Sequence, residues 1–190
     1  MPDTQEVDQS RLLLPIHADD HVKGPEDAAY TIVEYGDYEC PLCGQFFISL
    51  RDLQTELGDS LRIAFRHYPL SGIHPHAQMA AEAAEEAGAQ GRFWEMHDLL
   101  FENQNALAPK YLYRYAERIG LDTKRFRDEL KARRYEDLVR EHFRRGVQNG
   151  VYRTPGLFVN GIRYNGPLDR DTLRHQIVVS ADGRANTGQS

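Results

Sequence analysis

The spacing of apolar residues changes period several times along the chain, and each change predicts an element. Residues 30–35 are β-branched or aromatic at Thr31, Ile32, Val33 and Tyr35, the signature of a strand. Cys43, Phe46, Phe47, Leu50, Leu53 and Leu57 then recur at helical spacing. Pro41 suits the first turn of that helix, where a missing N–H costs nothing, and Gly58 suits its stop. Residues 61–68 read as a second strand, ended by Pro69. From His74 to about Asn149 the pattern is helical. An Ala/Glu-rich run over 77–87 is broken by Gly88 and Gly91, and Phe93, Met96, His97, Leu100 and Phe101 form the next stripe. Tyr111, Leu112, Tyr115, Ala116 and Ile119 form another, closed by Gly120. Asp122 can cap a short helix carrying Phe126 and Leu130, and Tyr135, Leu138, Val139, His142 and Phe143 mark one more. After Gly150, residues 156–159 and 162–164 are short apolar runs joined by Asn160-Gly161, a hairpin signal. Residues 169–179 read as a last helix.

The order is strand, helix, strand, helical block, hairpin, helix. This is an α/β arrangement of thioredoxin-like type, with an inserted α-helical subdomain where a single connecting helix would suffice. It divides the chain into a polar N-terminal arm (1–20), a thioredoxin-like domain (21–73 and 150–180), the inserted helical subdomain (74–149) and a small, polar, disordered tail (181–190).

Composition narrows the function. The chain has 190 residues and a formal net charge of −6, with both signs interspersed, which argues against a general nucleic-acid surface. No stretch is apolar for long enough to span a bilayer. The first 20 residues lack the basic start and apolar run of a secretory signal, so the expected location is cytoplasmic; a removed leader would make it periplasmic or otherwise extracytoplasmic. There is no Gly-rich phosphate loop, and no cofactor is expected.

The chemistry lies in the two cysteines, Cys40 and Cys43. Cys40 falls at the predicted helix start, where free N–H groups and the helix dipole favour an anion. The thiolate is the attacking species in disulfide exchange. One helical turn brings Cys43 to the same side, and its place in the apolar stripe makes it the more buried sulfur. Cys40 is therefore expected to attack, Cys43 to resolve, and the pair to form a local disulfide. Asp37 and Glu39, close by, would raise the Cys40 pKa and oppose the helix. The competing reading of a zinc half-site would recruit His67, His74 or His76; the strand-then-helix setting and Pro41 favour redox chemistry, and no metal site is expected.

The segments VEYGDYECPLCGQFF (33–47), RHYPL (66–70), HPHAQMAAEAA (74–84), FWEMHDLLF (93–101) and TPGLFVNG (154–161) resemble, in order and spacing, the DsbA-like thiol–disulfide oxidoreductases. The resemblance runs from about His21 to Val179. It implies a thioredoxin fold, disulfide oxidoreductase activity and a cis proline facing the CxxC, which maps to Pro155 after Thr154. Pro41, Leu42, Thr154 and Pro155 are then the residues expected to meet substrate. Arg153 and Gly156 depart from the family's usual choices beside that proline. The resemblance also implies a buried carboxylate under the CxxC at Glu34, a general base for the resolving thiol, with Arg62 or Arg66 as a possible partner. Strand alternation alone leaves open that Glu34 points to solvent. His97 and Trp94 read as packing residues.

The expected activity is exchange with protein or peptide thiols and disulfides, recycled by glutathione or a thioredoxin-type partner. The alternatives are a glutathione-dependent isomerase or transferase on the same fold, which the intact Cys-Pro-Leu-Cys pair counts against, and a non-enzymatic redox-sensing module.

Overall fold

The computed structural model describes residues 10–185, with side chains described as far as residue 178. Residues 1–9 of the predicted arm and 186–190 of the predicted tail lie outside the described residues.

Five strands form one mixed sheet: β1 (His21–Lys23), β2 (Tyr30–Gly36), β3 (Leu61–His67), β4 (Gly156–Val159) and β5 (Ile162–Tyr164), in spatial order β1-β3-β2-β4-β5. β2 and β3 are parallel, with Glu34 opposite Phe65 and Tyr35 opposite Arg66. They are joined by α1 (Pro41–Leu57), because a parallel pair needs a crossover. β4 runs antiparallel to β2 and to β5. The β4–β5 turn has positive φ at both Asn160 and Gly161, as the Asn-Gly signal requires. β1 pairs antiparallel with the far edge of β3. The sequence pattern is silent on β1, since His-Val-Lys offers a single apolar residue.

Between β3 and β4 the chain forms α2 (Ala77–Ala89), α3 (Phe93–Glu102), α4 (Pro109–Arg118), α5 (Thr123–Lys131) and α6 (Glu136–Gln148). Gly88 stays inside α2, and the break falls at Gly91, whose φ is +75°. Asp122 caps α5, its Oδ1 accepting from the Arg125 N–H at 2.9 Å. The last helix, α7 (Arg170–Ala185), continues past residue 179, so residues 181–185 are helical rather than part of a disordered tail.

Strand alternation divides the packing. Ile32, Leu61, Ile63, Leu157 and Val159 face α1 and α7, meeting Phe46, Leu50, Leu53, Leu173 and Ile177. Each such side chain contributes roughly 1.5–3 kcal/mol when fully buried. Further along the same face, Phe65 joins Tyr38, Phe47, Phe101 and the apolar stripes of α2–α5. Val33, Tyr35, Ala64 and Phe158 cover the opposite face with Tyr68, Val151 and, from the arm, Leu12 and Ile16.

Arg66 ties the arm to that opposite face. Its guanidinium donates to both carboxylate oxygens of Asp20 at 2.8 and 2.6 Å, to the Tyr35 hydroxyl at 2.8 Å, and to the carbonyls of Leu14 and Pro15 at 3.0 and 2.7 Å. This corrects the expectation that Arg62 or Arg66 could pair with Glu34. Arg66 lies opposite Tyr35 and Arg62 opposite Thr31, so both point away from the face that carries Glu34.

Candidate active site

Cys40 is the N-cap of α1, with extended backbone (φ −77°, ψ 121°), and Pro41 is the first helical residue. The extended N-cap leaves the first N–H groups of the helix unpaired and aimed at the sulfur. Both cysteines are free thiols and both are buried, Cys43 completely and Cys40 to 6% exposure. Pro41 and Leu42 between them are exposed, so the turn presents an apolar surface to solvent.

The Thr154–Pro155 peptide bond is cis, as the resemblance implied. The loop that carries it leads directly into β4, beside β2, and this brings it to Cys40: the Sγ lies 3.6 Å from the Thr154 carbonyl oxygen. Thr154 is buried and Pro155 half-buried. Gly156 admits the Val151 side chain, since a Cβ there would meet Val151 Cγ1 at 2.7 Å.

The two sulfurs differ sharply in acidity. Hydrogen bonding from the Cys43 thiol does most to lower the Cys40 pKa, to about 5; burial opposes this, and the Thr154 side chain with the N–H groups of Cys43 and Leu42 assists it. Burial pushes the Cys43 thiol well above its usual value, reinforced by its hydrogen bond to Cys40 and by the charge of Glu34. Glu34 is 2% exposed, and its Oε1 has no hydrogen-bond partner. Burial, and then the nearby Cys40 charge, push its pKa up to about 8. Of the two placements left open for Glu34, the structure has the buried one, on the face of β2 that packs under α1.

The acidic residues before Cys40 are engaged elsewhere. Asp37 accepts from the N–H of Glu39 at 2.8 Å and of Leu70 at 2.8 Å, and bonds His74 Nδ1 at 2.7 Å. Glu39 bonds the His76 backbone and ring at 2.7 and 2.9 Å. The leading causes of the Cys40 shift are hydrogen bonds and burial rather than the charges of Asp37 and Glu39. His74 and His76 hold these carboxylates rather than the thiols, and His67 is fully buried against Glu85. His97 packs among Phe47, Phe65 and Phe101, with its Nδ1 3.1 Å from the Tyr38 hydroxyl.

The sequence reading missed Gln104. From the loop after α3, its Nε2 donates to the carbonyls of Tyr38 and Cys40 at 2.9 and 2.8 Å. The residue that makes room for it is Gly44, where a Cβ would meet Gln104 Oε1 at 2.2 Å. A polar residue between helical stripes carries no periodic signal, so only tertiary structure reveals this contact.

A family model described as Thioredoxin matches residues 17–178. The chain belongs to the thioredoxin family. Its fold is the DsbA-like form of that family. The oxidised BdbD of Bacillus subtilis superposes with a TM-score of 0.78 at 24% identity, covering 86% of this chain and 93% of that one. The alpha-DsbA1 of Wolbachia pipientis does so with a TM-score of 0.79 at 17% identity, covering 94% and 98%. A periplasmic thioredoxin-like protein of Salmonella enterica serovar Typhimurium gives 0.68 at 18% identity, covering 86% and 90%. Among curated relatives, the Na(+)/H(+) antiporter NhaA 3 of Salinispora tropica is 48% identical over 168 residues, covering 88% of this chain and 26% of the relative. NhaA 1 of Mycolicibacterium vanbaalenii is 40% identical over 166 residues, covering 86% and 27%. The chain thus spans about a quarter of the length of these relatives. No helix among the described residues is long and apolar enough to cross a membrane.

Proposed function

We propose that this chain is a thiol–disulfide oxidoreductase acting on protein or peptide thiols. The observation that carries the reading is the placement of the two sulfurs: Cys40 at the N-cap of α1, 3.6 Å from the carbonyl before the cis proline, and Cys43 one turn on and fully buried; this lowers the Cys40 pKa to about 5 and raises that of Cys43. At neutral pH Cys40 is a thiolate. It attacks one sulfur of a substrate disulfide, the S–S bond breaks, and the other substrate sulfur leaves as thiolate. In the mixed disulfide Cys40 no longer carries the charge that helps raise the Glu34 pKa, and the ionised fraction of Glu34 takes the proton of Cys43. The Cys43 thiolate attacks Cys40, forming the Cys40–Cys43 disulfide and releasing the second substrate thiol. Run in reverse, the same steps oxidise a substrate dithiol. Pro41, Leu42, Thr154 and Pro155 form the substrate surface, with the Thr154 backbone beside Cys40 available to an extended peptide. Glutathione or a thioredoxin-type protein would restore the starting state.

The test is alkylation of the reduced protein near pH 6, with the labelled site read by mass spectrometry. Cys40 is expected to react first by a wide margin; equal labelling, or labelling of Cys43 first, would refute the assignment.

The match to one quarter of antiporter sequences supports a thiol-exchange module alongside a membrane transporter rather than antiport by this chain. The extracytoplasmic location is supported by the periplasmic description of the Salmonella protein, whereas the cytoplasmic expectation finds no support in the comparisons. Fractionation of cells expressing the native gene, with blotting for the protein, tests this.

A further inference from the structure

Helix α2 buries three carboxylates, Glu82, Glu85 and Glu86. Two of them have arginine counter-charges: Arg133 reaches Glu82 at 2.6 Å and Arg125 reaches Glu86 at 3.0 Å. Among the described residues, the third is met only by imidazoles. Glu85 Oε1 lies 2.8 Å from His67 Nε2, and both its oxygens lie 3.0 Å from His21 Nε2. The placement follows from the sheet. His21 on β1 is opposite Phe65, and His67 lies two residues beyond Phe65 on β3, so both rings project from one face, toward α2.

We infer that His21, His67 and Glu85 form a binding site for a divalent transition-metal ion, zinc being the cation best matched to two imidazoles and a carboxylate. The donor atoms of all three lie within 4.8 Å of one another. In a tetrahedral zinc site with bonds of about 2.0–2.1 Å, neighbouring donors stand roughly 3.3 Å apart, so each imidazole need draw back from Glu85 by only a few tenths of an ångström, while the two imidazole nitrogens, within 4.8 Å of each other, set the remaining edge. A carboxylate only accepts, so Nε2 of both imidazoles carries the proton in the metal-free protein; a metal ion would take that place as the proton moves to Nδ1, which in His67 is buried without a partner. The site opens through His21, whose side chain is 21% exposed and stacks on Phe93 with ring centroids 3.4 Å apart. An ion entering there supplies Glu85 with the charge that arginine supplies to its neighbours. It would join the edge strand, the central sheet and the helical block at one point, separate from the thiols.

The experiment uses the full chain with Cys40 and Cys43 oxidised to the disulfide, so that thiolates cannot bind metal, after stripping with chelator. Zinc chloride is added during thermal unfolding, and cobalt(II) chloride is titrated while visible absorption is followed. One equivalent of cobalt should give ligand-field bands without sulfur-to-metal charge transfer, and zinc should raise the melting temperature. His21→Ala, at the partly exposed position, should stay folded by circular dichroism and lose more than about 10-fold in affinity, since even outer-shell changes cost 10- to 100-fold. Glu85→Gln should do the same. Failure of the oxidised protein to bind either ion, binding seen only after reduction, or unchanged affinity in a folded His21→Ala would overturn the site.

Discussion

Replacing Glu34 with glutamine should make the protein more stable while slowing its chemistry. Folding carries this carboxyl from an ordinary pKa of 4.5 to about 8. Burial is the main cause, so the shift persists in the oxidised protein, where no Cys40 thiolate remains. A raised folded-state pKa means that the native state binds the extra proton. The contribution of Glu34 is most favourable below pH 4.5 and declines as pH rises toward 8, at about 1.4 kcal/mol per unit. At pH 7 the accumulated penalty is about 3 kcal/mol. Glutamine carries no such penalty, but it buries an amide, which costs about 1–2 kcal/mol where a partner is missing. The net expectation is a gain of about 1–2 kcal/mol at pH 7, falling to zero or reversing below pH 5. Urea unfolding of both oxidised proteins at pH 4.5, 6, 7 and 8 reads the difference directly. A stability difference that stays flat across this range would show that Glu34 titrates normally, and the argument for a proton acceptor beneath the CxxC would fail. In single-turnover reduction of a model disulfide, the same variant should release the second substrate thiol more slowly near pH 7.

Cys43→Ala should accumulate mixed disulfides on Cys40 in purified protein, seen as adduct masses that Cys40→Ala lacks; equal adduct levels in the two would refute the division of labour. Arg66→Met leaves Asp20 buried without its counter-charge and should cost about 3–5 kcal/mol in denaturant unfolding, and the further change Asp20→Asn should recover part of that loss. Gly156→Ala places a methyl group 2.7 Å from Val151 Cγ1, and a loss of about 1–3 kcal/mol is expected by thermal melting, with no loss expected from the same change at the open Gly72.

The elements that could be read in advance were those whose own residues carry the signal. Asn160-Gly161 marked the hairpin because both positions need positive φ, and Cys43 through Leu53 marked α1 because one stripe faces the sheet. The place of Cys40 at the start of α1 followed from the strand-then-helix pattern and Pro41, whereas the Thr154 contact beside it did not. What escaped depends on partners distant in sequence. β1 exists because β3 offers it an edge. That Asp37 and Glu39 are held by His74 and His76 rests on a segment more than 30 residues further along the chain. Arg66 was within reach of the right answer by alternation, since its register with Tyr35 fixes the face, but nothing local pointed to Asp20, 46 residues earlier.

The Gln104 contact means that the redox turn is built by two separate stretches of chain. The carbonyls of Tyr38 and Cys40 find their donor on the far side of α3, beyond two helices of the block that interrupts the sheet. Trimming that block would therefore strip the Tyr38 and Cys40 carbonyls of their donor as well as remove bulk. By the same route, a shift of the loop that carries Gln104 would pull directly on the backbone of Cys40.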